Sequence, residues 1–218
     1  MTPTRLPTLL LFPALVLLLG VLAACGLRSA SEPPEPGYSR GGVPDLRGER
    51  VLVLPLQLRS GGHEDADREL LYALESRGAT VDWLGPAHLR QRAQQSPELS
   101  VDLDRLPVER FLQGDLDRIG DPLYGLLYRL GALEGANYAL IPVRIRDRPV
   151  TEGEGEGEGA AGADVGGGLA TAELHTALVR VRTGHVLWYG VTDGRAAAPG
   201  DLGATASTAE ALARRILR

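Results

Sequence analysis

The side chains of this chain that could do chemistry are few: four histidines, one cysteine, and carboxylates that recur two residues apart at Asp102 and Asp104 and at Asp115 and Asp117. His63 falls in a loop, His88 in a polar helical stretch, His175 in a strand-like run and His185 in a turn. None has a second ligand at the close spacing of a zinc site. Carboxylates two apart do not meet on a helix, where neighbours are three or four apart, so both Asp pairs read as solvated faces. Serine hydrolysis on a strand-to-helix turn would show a G-x-S-x-G, and none occurs. Gly166-Gly167-Gly168 lacks the lysine and the helix start of a phosphate loop. The acidic tract Glu152-Gly153-Glu154-Gly155-Glu156-Gly157-Glu158-Gly159 offers carboxylates to calcium, but nothing fixes the roughly six to eight oxygens an ion needs, and a solubilising loop is the better reading. Trp83, Trp188 and Tyr189 could anchor an interface, yet their segments alternate like half-buried strands, which favours sheet packing. No catalytic, cofactor-binding or metal-ligating residue can therefore be named. An enzymatic alternative, an envelope hydrolase or metal-dependent enzyme, would need a site assembled only by the fold.

Cys25 is the one residue whose surroundings specify a reaction. Arg5 precedes an almost wholly apolar run from Leu9 to Val21, interrupted by Pro13 and Gly20, and the run ends in Leu22-Ala23-Ala24-Cys25. That run is shorter than the roughly 20 apolar residues a membrane-spanning helix requires, and its layout is that of a secretory signal. Leu-Ala-Ala-Cys resembles the bacterial lipobox, in which small residues give a peptidase access to the backbone once the thiol is acylated. The resemblance implies removal of residues 1–24, a lipidated Cys25 as first mature residue, and anchoring through several acyl chains. Gly26, rather than the Asp that retains enterobacterial lipoproteins in the inner membrane, implies a periplasm-facing place on the outer membrane.

The mature chain would hold 22 basic against 28 acidic residues, a net charge of −6 that argues against a nucleic-acid partner. Every basic residue is Arg and none is Lys, which biased coding explains better than a binding device. With Cys25 acylated no thiol remains for a disulfide, and the fold must stand on packing. Residues 25–47, rich in Pro, Gly and charge, read as a lipidated Cys and flexible tether, and residues 48–218 as one globular domain with a disordered Glu/Gly loop at 151–168.

The elements that must position everything else follow from periodicity. Residues 50–56 form a continuous apolar run of strand length, ended by Pro55. Leu70, Leu71 and Leu74 share a helical face before the stop at Gly78. Residues 80–84 alternate as a strand, and Pro86 opens a polar helix to 95. Residues 108–119 predict a short helix with Phe111, Leu112 and Leu116 inward. Asp121 caps a helix whose stripe is Leu123, Leu126, Leu127, Leu130 and Leu133, with Gly135 as its stop. Residues 137–146 and 169–182 are strands on either side of the acidic tract. A turn at Thr183-Gly184 returns the chain into a last strand over 186–191. The parity of 169–182 is mixed, which predicts a bulge or burial on both faces. Ser207-Thr208-Ala209-Glu210 is a capping box for a final helix. A mixed α/β sheet of about five strands flanked by helices results.

Four pieces in this order carry a resemblance: the strand Arg50-Val51-Leu52-Val53-Leu54-Pro55-Leu56, the helix and strand Leu126 to Ile141 with Leu130-Gly131-Ala132 and Gly135-Ala136-Asn137-Tyr138, the hairpin Leu178-Val179-Arg180-Val181-Arg182-Thr183-Gly184-His185-Val186-Leu187-Trp188, and the closing helix. They are similar to the domain shared by the amino-terminal part of TolB, CsgG and LpoB. The resemblance implies an α/β fold of TolB amino-terminal type and a non-enzymatic role, binding an envelope protein or complex for secretion or cell-wall assembly. It also leaves open a homo-oligomeric structural subunit like CsgG without a pore, since the Glu/Gly tract lacks the alternating apolar strands of a barrel.

Overall fold

The computed structural model describes residues 39–59, 65–96, 99, 101–113, 116–150 and 169–217. Cys25, the signal segment, most of the tether, His63 and the Glu/Gly tract lie outside the described residues.

The order is β1 (Ser39–Gly41), β2 (Arg50–Val53), β3 (Leu58–Arg59), α1 (Ala66–Arg77), β4 (Asp82–Leu84), α2 (Pro86–Gln95), a 3-10 turn (Glu109–Gln113), α3 (Leu123–Glu134), β5 (Tyr138–Pro149), β6 (Ala170–Arg180), β7 (Val186–Ala197) and α4 (Leu202–Ile216). One mixed sheet takes seven strands rather than about five, in the order β1-β7-β6-β5-β2-β4, with β3 pairing β5. β2 runs parallel to β4 and β5, whereas β5, β6 and β7 form an antiparallel meander.

The continuous apolar run of β2 is explained by burial on both faces. Val51 and Val53 point into a layer with Leu70, Leu74, Leu212 and Ile216 of α1 and α4. Leu52 and Leu54 point the other way, against Leu89, Phe111, Leu127 and Leu130 of α2, the 3-10 turn and α3. The mixed parity of β6 has the same cause. Leu174 and Leu178 face α4, Ala177 and Val179 face α3, and all four are buried.

Several boundaries differ from the sequence reading. The tether does not run to residue 47: Ser39–Gly41 pairs antiparallel with Gly190, Tyr189 and Trp188 of β7, and Leu46 is buried with the α1/α4 layer. Residues 108–119 hold one 3-10 turn instead of a helix, although Phe111 and Leu116 do point inward. Leu133 leaves the apolar stripe of α3 and is 43% exposed. A register shift between Pro142 and Arg144 turns Ile145 to the α1/α4 side, opposite Ile141 and Val143. β7 runs six residues past Val191 because those residues still pair with β6. The capping box at Ser207 is not used. α4 starts six residues earlier, where the Asp201 carboxylate accepts from Gly203 N and Ala204 N, as an N-cap should.

Candidate functional site

Two polar constructions stand out from the apolar layers, and neither contains a residue singled out as catalytic by spacing. The first lies where ligands of parallel sheets usually bind, beyond the carboxyl ends of strands at a switch in strand order. From β2 the chain passes through α1 to β4 on one side, then through α2 and α3 to β5 on the other. Leu56 and Gln57, just past β2, line an open cleft of about 620 Å³ with Arg59, Asp67, Arg90 and Asp104. Its charges are spent on each other. Asp67 accepts from Leu56 N at 2.7 Å, Arg59 Nη2 at 2.8 Å and Arg90 Nη2 at 2.9 Å. Arg90 also donates to Asp104 at 2.6 Å, and this guanidinium holds the Asp104 carboxyl below its ordinary pKa. Asp104 is thus tied to Arg90 rather than paired with Asp102. The network fastens the loop after β2 to α1 and α2.

The second construction crosses β5, β6 and β7 on the face that Tyr189 and Val191 share with the α2/α3 layer. The pairing register sets Arg144 opposite His175, Arg146 opposite Glu173, and Glu173 opposite Asp193. Because side chains alternate along a strand, Arg144, Arg146 and Arg148 share one face. Glu173 is 1% exposed, so its charge must be held by neighbours. Its Oε1 accepts from Arg146 Nε at 2.7 Å and lies 2.6 Å from His175 Nε2. His175 Nδ1 lies 2.7 Å from the Tyr189 hydroxyl. The tautomer with its proton on Nε2 serves both contacts: Nε2–H donates to Glu173, and Nδ1 accepts the Tyr189 O–H. Arg144 Nη2 sits 3.0 Å from the same Nε2, which then has no lone pair to give it.

Burial raises the Glu173 pKa, but the hydrogen bonds from His175 and Arg146 outweigh it and bring it down to about 2. Burial pushes the Tyr189 hydroxyl up to about 12 and raises Asp193. Burial also lowers the Arg144 pKa, with Arg146 beside it adding to the effect. Carboxylate, imidazole and hydroxyl follow one another as in a hydrolytic triad, but a buried phenol held at such a pKa keeps its proton and is a poor nucleophile. The arrangement fixes charge in place.

His88 belongs to a third, smaller contact. Its Nε2 lies 2.9 Å from Glu134 Oε2, and Arg92 donates to Oε1 of the same carboxylate at 2.5 Å. An acid in the last turn of α3 opposes the helix dipole. Burial raises its pKa, and the bonds from Arg92 and His88 bring it below the ordinary value. His185 sits in the β6–β7 turn, bridged to Arg118. His88 and His175 thus serve different carboxylates, and among the described residues no three His, Cys, Asp or Glu side chains gather as a metal would need. Trp83, Trp188 and Tyr189 are all buried in the sheet layers. Exposed apolar side chains lie elsewhere, at Tyr72, Leu169 and Leu202 and along a groove of about 600 Å³ lined by Leu99, Tyr128, Ala132 and Leu133.

Sequence reasoning missed the ladder on β5 to β7. Its signal is the alternation Arg144-Ile145-Arg146-Asp147-Arg148, answered by Glu173 and His175 two apart in a strand whose other ionisable residue is Arg180 at its end.

No family model matches the chain, and no curated protein matches it by sequence. Among solved structures it is similar to a PelC variant from Paraburkholderia phytofirmans, a dodecamer, at 18% identity over 84% of this chain and 99% of that one, with a TM-score of 0.45. It is also similar to the LpoB C-terminal domain from Salmonella enterica, at 16% identity over 68% and 84% with a TM-score of 0.41. A third is lipoprotein GNA1162 from Neisseria meningitidis, at 15% identity over 77% and 97%, also with a TM-score of 0.41.

Proposed function

We propose that this chain is a lipid-anchored binding module of the outer membrane, facing the periplasm, that holds an envelope protein rather than turning over a substrate. The observation that carries the reading is Leu22-Ala23-Ala24-Cys25, small residues and the chain's only thiol at the end of a short apolar run. Acylation at Cys25 would leave 13 residues before β1. Such a segment reaches at most about 45 Å, so the domain would work close to the membrane surface. The self-neutralised cleft beyond β2 and the buried phenol at Tyr189 favour holding over turnover.

The test is metabolic labelling with an alkyne fatty acid in a diderm host, followed by detergent partitioning of the wild type and Cys25→Ser. Label and detergent partitioning on the wild type alone support the anchor, and absence of label on the wild type overturns it. Crosslinking from membranes then asks for an envelope protein recovered with the wild type above the Cys25→Ser control.

A further inference from the structure

We propose that Arg144 and Arg146 form a docking row for an extended acidic peptide segment of a partner protein, one that presents carboxylates on alternate residues. This names the chemistry of the partner and rests on the binding-module reading for its setting.

The sign of the ligand follows from the surplus of cations on this face. Arg148 stands 3.9 Å from both Glu173 and Asp193, so among the described residues Arg144 and Arg146 are left with Glu173, whose carboxylate is already engaged by Arg146 and His175. The unmet capacity is specific. Among the described residues the one hydrogen-bond contact of the Arg144 guanidinium is with His175 Nε2, whose proton is committed to Glu173, and its own Nε is buried without a hydrogen-bond partner there. A guanidinium carries five N–H donors and cannot shed its charge, so leaving it without an acceptor is costly. Arg146 spends Nε on Glu173, and its two terminal nitrogens make no hydrogen bond to the described residues. With a side chain 45% exposed, Arg146 is reachable from solvent. A carboxylate arriving there takes charge-assisted, bidentate bonds that water does not match.

The form of the ligand follows from spacing. Arg144 and Arg146 are alternate residues of one strand, so their side chains leave the sheet about 6.6 Å apart. Acidic residues at i and i+2 of an extended peptide repeat at the same distance. That match favours a peptide over a carboxylated polysaccharide.

The test uses the full chain with Glu152, Glu154, Glu156 and Glu158 each changed to Gln, so that its own acidic tract does not compete. The probe is a fluorescent hexapeptide of alternating glutamate and glycine, read by anisotropy, with its glutamine twin as control. We expect saturable binding of the acidic peptide, none of the twin, and at least about tenfold weaker binding in Arg146→Gln with unchanged circular dichroism, as the loss of one charge-assisted bond requires. Arg146→Lys should fall between. Equal binding of the twin, or Arg146→Gln within twofold of its parent, overturns the proposal, as does tighter binding of polygalacturonate than of the peptide. Should Arg146→Gln not fold, the comparison of peptide with twin decides alone. Failure here leaves the acylation result at Cys25 standing, and failure of acylation leaves this binding result standing.

Discussion

Gly131 of α3 lies against Val181, which follows β6, so closely that a Cβ at 131 would overlap the Val181 side chain and stand 2.9 Å from the Ala136 carbonyl oxygen. The Ala136 oxygen is backbone and cannot swing away. Alanine is normally better than glycine inside a helix by about 1 kcal/mol, but overpacking a filled core costs about 1–3 kcal/mol. Gly131→Ala should therefore destabilise the domain despite its helix propensity, with the denaturant midpoint falling and the slope unchanged. A rise in the midpoint would show that α3 can shift.

Glu173 should govern the acid limb of stability. Its folded pKa of about 2 lies below the ordinary 4.5, so the native state binds its proton less readily than the unfolded chain. The stabilisation is whole above pH 4.5 and is lost as pH falls from 4.5 through 2. Glu173→Gln should flatten that limb. At neutral pH it should cost about 3–5 kcal/mol, because it breaks a buried charge pair from one side. Unfolding by urea at pH 7, 4 and 3 in both proteins measures the two effects.

Much of this fold was legible because its elements follow single-period rules. The run at Val51 to Leu54, the Pro86 start of α2, the Gly135 stop of α3 and the Gly184 turn each depend on a few neighbouring residues. What sequence could not supply depends on distant ones. Ser39–Gly41 is a strand only because β7 lies beside it, 147 to 151 positions on. Arg146 and Glu173 are 27 residues apart and meet through a register that a bulge after Pro142 resets. A one-residue slip of β5 there would send Arg146 to the other face and leave Glu173 where it is, parting the pair. The lipidation proposed at Cys25 likewise rests on a few neighbouring residues, Leu22-Ala23-Ala24-Cys25.

The start of the folded domain makes a further prediction. Leu46 is 3% exposed and packs in the layer between the sheet, α1 and α4. Leu46→Ala should cost about 2–5 kcal/mol, as other buried leucines do. A chain cut before residue 48 loses Leu46 and β1 together, and it should melt below one cut before residue 39. Equal melting temperatures would mean that residues 39–47 do not contribute.

Two carboxylates near the start of α4 separate the observed cap from the expected one. The Asp201 carboxylate accepts from the backbone N–H groups of Gly203 and Ala204, the latter shared with the Asp201 carbonyl, whereas Glu210, which a capping box would turn back to the helix start, pairs at 3.4 Å with Arg214 on the surface. Asp201→Ala should cost about 1 kcal/mol, and Glu210→Ala less than about 0.5 kcal/mol, the value of an exposed i,i+4 pair. Thermal unfolding of the two variants side by side gives the order, and a larger loss at Glu210 would restore the capping box.

Asp67 is the hub of the cleft beyond β2. Its side chain is 16% exposed and gathers the Leu56 N–H, Arg59 and Arg90. Asp67→Ala removes three hydrogen bonds at once and leaves a backbone donor and two arginine contacts unsatisfied. The cost is the desolvation of groups already placed, about 1–3 kcal/mol for each one that water cannot reach. Arg59 and Arg90 are about one third exposed and recover part of it by hydration, so the net loss should be about 2–3 kcal/mol. Asp67→Asn keeps one acceptor oxygen for Leu56 N and should lose less. Hydrogen exchange at the Leu56 amide reads the cause directly: it should accelerate in Asp67→Ala and stay slow in Asp67→Asn. Equal exchange in the two variants would mean that the ion pairs, rather than the Asp67 to Leu56 bond, hold the loop after β2 in place.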